Sequence, residues 1–154
     1  MTADSKSKKN IQATLAFIFN HDLSRVLLMQ KRKPKHHAGM LNGIGGKCEL
    51  NESHLSCVAR EVAEESGISI ESNLFQKVAN MEWNEWYVTV WASVYDNEEL
   101  PNTFPEQGLG WYEVNELPEN VVSNLNWLVP LSIDVLKGAN KRTFPFVTVS
   151  YPSS

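Results

Sequence analysis

The chain has 154 residues, 42% hydrophobic and 21% charged, an ordinary globular profile with enough length for a core of its own. A net charge of −4 argues against a broad basic surface for wrapping duplex nucleic acid, so no stable nucleic-acid complex is expected. Two cysteines, Cys48 and Cys57, are too few for a disulfide framework, and no apolar run nears the ~20 residues that span a bilayer, which points to a reduced, cytoplasmic domain with no membrane association.

Residues 1–10, MTADSKSKKN, are polar and predict a flexible N-terminal segment ahead of a single domain over 11–154. IQATLAFIF (11–19) and RVLLMQK (25–31) read as strands joined by the turn-forming Asn20, His21 and Asp22. The stretch KRKPKHHAGMLNGIGGK (31–47), rich in glycine and basic residues, reads as a loop. A helix is predicted over 53–66, with Ser53 as N-cap and Gly67 as the stop just past its end. Residues 74–82 and 85–95 are aromatic and β-branched and predict a hairpin turning at Asn84. After a loop at 96–109 come a strand at 109–114, a helix at 123–137 that Pro130 is expected to restart, and a last strand at 144–150. Strands on both sides of a helix, mostly joined by hairpins, indicate a mixed α/β or α+β sandwich.

On a helical wheel of 53–66, Leu55, Val58, Ala59 and Val62 form one apolar stripe. Glu61, Glu64 and Glu65 share an arc of about 100° along one edge of it. Their i,i+3 and i,i+4 spacings repel, and Glu64 and Glu65 occupy the last turn, where the helix dipole disfavours negative charge. A solvated acidic face would tolerate this; a bound hard cation would reverse the sign of the local field. Clustered carboxylates with backbone carbonyls are ligands that Mg²⁺ accepts, with water and substrate phosphates completing its shell. Cys57, one turn before Glu61, reads as a small packing residue.

The spacing Gly46, five residues, Glu52, seven residues, then Arg60-Glu61-Val62-Ala63-Glu64-Glu65-Ser66-Gly67-Ile68 resembles the Nudix box without a gap. The resemblance implies a Nudix-type α/β/α sandwich with a mixed β-sheet, and hydrolysis of a nucleoside diphosphate linked to another group by water attack at phosphorus with Mg²⁺ or Mn²⁺. It implies that Glu61, Glu64 and Glu65 hold the metal, together with the Gly45 carbonyl. The resemblance also implies a general base among these carboxylates, expected to be Glu61 or Glu64. Arg60 is expected to orient the glutamates by charge-assisted hydrogen bonds, Glu52 to reach a metal through water or brace the loop, and Gly46 and Gly67 to serve the motif's backbone. Neither competing phosphate loop is present: a dinucleotide fingerprint needs glycine at Cys48, and a P-loop needs glycine at Leu41 and Ser or Thr at Cys48.

Glu106, five residues before Trp111, matches a metal-ligand or base position of enzymes resembling the MutT-type 8-oxo-dGTP diphosphatases. Lys31 and Arg32 sit where similar enzymes hold phosphates. Leu41-Asn42-Gly43-Ile44-Gly45-Gly46-Lys47 is similar to the Trp-Asn-Gly-Phe-Gly-Gly-Lys stretch of oxidised-purine triphosphatases, which puts Asn42 against a nucleobase. That family's tryptophan is Leu41 here, and its adjacent aspartates fall near Asn124-Leu125, where Asn124 is the candidate base contact. Trp127 reads as core. The expected substrate is a small nucleoside triphosphate bound with Mg²⁺ or Mn²⁺; the alternatives are a sugar nucleotide, a dinucleotide, a capped RNA end, and a domain that senses its ligand without turnover.

Overall fold

The computed structural model describes residues 11–31, 38–97, 99–100, 108–138 and 147–152. Expectations for residues 1–10, for Arg32 and for Glu106 lie outside these residues.

Strand β1 (Ile11–Phe19) is the axis of the molecule. Its run from Ala13 to Phe19 is buried throughout, and alternate side chains enter opposite cores. Ala13, Leu15, Phe17 and Phe19 face one; Ala16 and Ile18 face the other. A nearly continuous apolar strand is what coverage on both faces requires. Along one edge β1 pairs antiparallel with β2 (Arg25–Gln30) and, nearer its start, with β4 (Ile44–Lys47); along the other it pairs in parallel with β6 (Trp86–Val94). Strand β3 (Leu41–Asn42) and β7 (Gly110–Glu113) flank β2, while β5 (Gln76–Trp83) joins β6 as a hairpin and β8 (Val147–Ser150) runs parallel to β5. Asn84 turns that hairpin with φ of 48°, a left-handed conformation asparagine tolerates.

Helix α1 (His54–Ser66) covers one face through Val58 and Val62, with Leu55 and Ala59 at its border. Its ends follow local chemistry: Ser53 Oγ accepts the Ser56 N–H at 3.1 Å, and Gly67 at φ 76° returns its N–H to the Ala63 carbonyl. Helix α2 (Leu125–Gly138) covers the opposite face through Leu125, Leu128, Val129 and Val135. The result is the expected α/β/α sandwich over a mixed sheet.

Two expectations are corrected. Residues 41–47 are not a loop throughout but supply β3 and β4, because their glycines serve close approach to β1 rather than a turn. A Cβ on Gly45 would collide with the Thr14 carbonyl of β1, and one on Gly43 would lie 2.5 Å from the Ala16 oxygen. Helix α2 also runs through Pro130 without restarting. Pro130 and Asn126, whose carbonyl loses its partner, are both exposed, so water can satisfy the group that proline leaves unpaired.

Candidate active site

The last turns of α1 carry Glu61, Glu64 and Glu65 and set Glu61 against β4. Gly46 lies directly under Glu61: a Cβ there would stand 2.5 Å from Glu61 Oε2 and 2.8 Å from Oε1. The strand thus forms a cradle against a carboxylate. Glu65, half-buried, is pushed up to about 7, by burial first and then by its hydrogen-bond contact and charge repulsion with Glu61. Two carboxylates in contact on a partly desolvated wall are unfavourable unless a proton or a cation shares them. All-oxygen donors in a glycine cradle suit a hard divalent ion, so the residues present fit Mg²⁺ or Mn²⁺.

Arg60 binds this cluster from the side. Its Nε donates to Glu52 Oε2 at 2.7 Å and its NH2 group to Glu52 Oε1 at 2.8 Å, a two-point fork. The NH1 group donates to Glu61 Oε1 at 2.9 Å and Glu64 Oε2 at 3.0 Å, and NH2 also reaches the Lys47 carbonyl at 3.2 Å. Glu52 Oε1 additionally accepts the Glu49 N–H at 2.9 Å. Those hydrogen bonds, Arg60's foremost, hold the Glu52 carboxyl down to about 2 and raise the Arg60 guanidinium above its usual range. Glu52 therefore braces Arg60, and Arg60 sets the direction of two glutamates.

On the other side of β1 lies a cavity of about 690 Å³, whose wall includes Lys31, Asn42, Trp83, Trp86, Asn124 and Tyr151. Trp83 and Trp86 stack with ring centres 5.9 Å apart, and Tyr151 meets Trp83 edge-on at 5.8 Å. Asn124 donates to the Tyr151 hydroxyl at 3.3 Å while its Oδ1 is buried with no partner among the described residues, an acceptor that a bound N–H would satisfy. Asn42 Oδ1 accepts the Gly43 N–H at 2.8 Å, which leaves its NH₂ as the group offered to a ligand. Lys31 links cavity and carboxylates: burial lowers its pKa and the charge of nearby Glu65 opposes that shift.

Sequence reasoning missed Trp83, Trp86 and Tyr151 as site residues; the aromatic density of 83–87 was the only signal. Trp127, expected in the core, is 39% exposed and does not line the cavity. Cys57 is fully buried, as packing requires, and burial raises both thiols, which leaves neither suited to nucleophilic attack. Among the described residues no helix is long and apolar enough to cross a membrane.

Comparison with known proteins gives a match of residues 9–130 to the family model of the NUDIX domain. An NAD-capped RNA hydrolase NudC of Vibrio parahaemolyticus is 31% identical over 96 residues, 62% of this chain and 36% of that protein. Its namesake from Vibrio cholerae is 30% identical over 95 residues, 61% and 35% of the two chains. The chain thus spans about a third of the length of these curated relatives. Among solved structures, the MutT protein of Bacillus halodurans superposes with a TM-score of 0.64 at 24% identity, covering 92% of this chain and 90% of that one. A MutT NUDIX hydrolase of Burkholderia pseudomallei gives 0.65 at 23% identity, covering 79% and 96%. At these identities the structural likeness speaks to the fold.

Proposed function

This chain belongs to the NUDIX domain family, and from that premise we propose that it is a pyrophosphohydrolase dependent on Mg²⁺ or Mn²⁺ that cleaves a nucleoside triphosphate to the monophosphate and pyrophosphate. The observation that carries the reading is the position of Lys31: it stands in the wall of the aromatic cavity and within electrostatic reach of Glu65. A flat base between the walls of the cavity, with phosphates passing Lys31 toward the carboxylates, uses both halves of the site.

In this reading Glu61, Glu64, Glu65 and the Gly45 carbonyl hold the divalent ion. The ion, when bound, neutralises phosphate oxygens and acidifies a water molecule. Lys31 neutralises and orients the phosphate chain. Asn124 Oδ1 accepts an N–H from the base edge and Asn42 donates to it, so the pair discriminates by hydrogen bonds left unmade when the wrong base enters. Arg60 fixes Glu61 and Glu64, and one of those two takes the proton of the attacking water.

A second reading follows from the relatives' name: an NAD-type dinucleotide, free or as an RNA cap, carries the same base and diphosphate. One panel separates them. The protein with Mg²⁺ is offered canonical and oxidised nucleoside triphosphates, NAD, ADP-ribose and NAD-capped RNA, and products are resolved by chromatography. Pyrophosphate with a nucleoside monophosphate supports the proposal. Two monophosphates from a dinucleotide, with triphosphates untouched, support the second reading, and no turnover of any compound defeats both.

A further inference from the structure

Among the described residues one further cluster carries ligand chemistry. Sulfur atoms of Cys48 and Cys57 and a carboxylate oxygen of Glu52 all lie within 4.8 Å of one another. Neither cysteine is in a disulfide. We propose that these three residues form a second cation site, separate from the glutamates at the end of α1 and selective for a thiophilic divalent ion of the zinc class.

Geometry supports it. Bonds of about 2.3 Å to sulfur and about 2.0–2.2 Å to oxygen, arranged tetrahedrally, put ligand atoms roughly 3.5–4 Å apart, inside the observed span. Each ligand has its own anchor, and Arg60 touches two of them, at 2.7 Å to Glu52 and 4.0 Å to the Cys57 sulfur. Cys48 follows β4, with its N–H on the Gln12 carbonyl at 2.8 Å. Glu52 is fixed by Arg60 and by the Glu49 N–H. Cys57 is enclosed by the start of α1, its sulfur 3.4 Å from Thr14 Oγ1. A cavity of about 320 Å³, with Gln12, Cys48, Glu52 and His54 in its wall, supplies an approach and room for water as the fourth ligand.

Chemistry separates the two sites. Sulfur attracts zinc-class ions and is a poor ligand for magnesium, whereas the all-carboxylate cluster favours the harder ion. Loading the thiol site forms two metal–sulfur bonds and releases both thiol protons to water. It also draws a Glu52 oxygen from Arg60, which holds Glu61 and Glu64, so occupancy of one site changes affinity at the other, and the coupling is reciprocal.

The test uses the reduced full chain titrated with Co²⁺ under excess Mg²⁺, read by the thiolate-to-cobalt charge-transfer absorption. One equivalent is expected, with the full band at saturation still reached in Glu65→Gln. Cys48→Ser, at a half-exposed position, should roughly halve the band and weaken binding about 10-fold or more while circular dichroism stays native. Zn²⁺ should then displace the cobalt. Absence of the band, a band indifferent to Cys48→Ser, or cobalt lost to magnesium and retained only by the glutamates would each overturn the proposal.

Discussion

Replacing Gly46 with alanine perturbs the site by a single methyl group. The added Cβ would stand 2.5 Å from Glu61 Oε2, whereas ordinary contact begins at 3.4 Å, so the carboxylate must retreat by about 0.9 Å. Gly46 has no positive φ, so alanine is not strained there by its backbone. The displaced group is the end of a flexible side chain, and the fold should be nearly unaffected. A shift of about 1 Å in a positioning group costs on the order of 100-fold in rate. Gly46→Ala should therefore lower kcat about 100-fold on the preferred nucleotide at saturating Mg²⁺ while Tm moves by no more than about 2 °C. Gly45→Ala is the contrast: its Cβ meets the backbone of β1 at Thr14, so it should unfold or strongly destabilise the protein. Steady-state kinetics with thermal melts of both variants decide the matter. Gly46→Ala with turnover within about threefold of wild type would refute the argument that Glu61 works from that cradle.

Arg60→Ala removes the common donor to Glu52, Glu61 and Glu64 and should lower kcat about 10- to 100-fold; Arg60→Lys should recover little, because an ammonium cannot reproduce the fork on Glu52. Asn124→Ala deletes an acceptor in the cavity that has no partner among the described residues, and should raise KM for the preferred nucleotide about 10-fold with kcat nearly constant, as expected for one hydrogen bond of about 1.4 kcal/mol. His54 Nε2 lies 2.7 Å from Gln12 Oε1, which can only accept, so Nε2 carries the proton and Nδ1 accepts from the Thr89 hydroxyl, itself held by Trp91 Nε1–H. Burial, followed by the charge of Lys77, lowers the His54 pKa below 6.5. The neutral ring's stabilisation is then complete above pH 6.5 and is lost as pH falls from there through the lower folded-state value. Melting curves between pH 7.5 and 5 should show a steeper acid loss for wild type than for His54→Asn, and parallel curves would contradict the assignment.

Helix α1 was legible because every determinant is local. The Ser53 cap, the Gly67 stop and the apolar stripe all act within a few residues, and the acidic edge follows from the same wheel. Strands β3 and β4 were not, because glycine carries no strand preference; pairing with β2 at 41–42 and with β1 at 44–47 is what makes them extended. The aromatic cavity was hidden for a topological reason. Tyr151 reaches Trp83 because β8 lies in parallel register on β5, with Met81 opposite Val149 and the Tyr151 N–H on the Glu82 carbonyl. No pattern within either segment announces that long-range pairing. Trp127 failed as a core assignment because one hydrophobic residue on a helix does not reveal which face the neighbouring layer covers. The meeting of Cys48, Glu52 and Cys57 likewise depends on how β4 leads into α1.

The central claim is that Glu61, Glu64 and Glu65 together hold a divalent ion. Binding of Mn²⁺ to the purified protein, followed by the loss of its free-ion electron paramagnetic resonance signal at constant ionic strength, measures this without any substrate. Saturable uptake that weakens about 10-fold or more in Glu61→Gln and Glu65→Gln, each still folded, is the predicted result. Uptake that is absent in wild type, or identical in the two variants, would contradict the account.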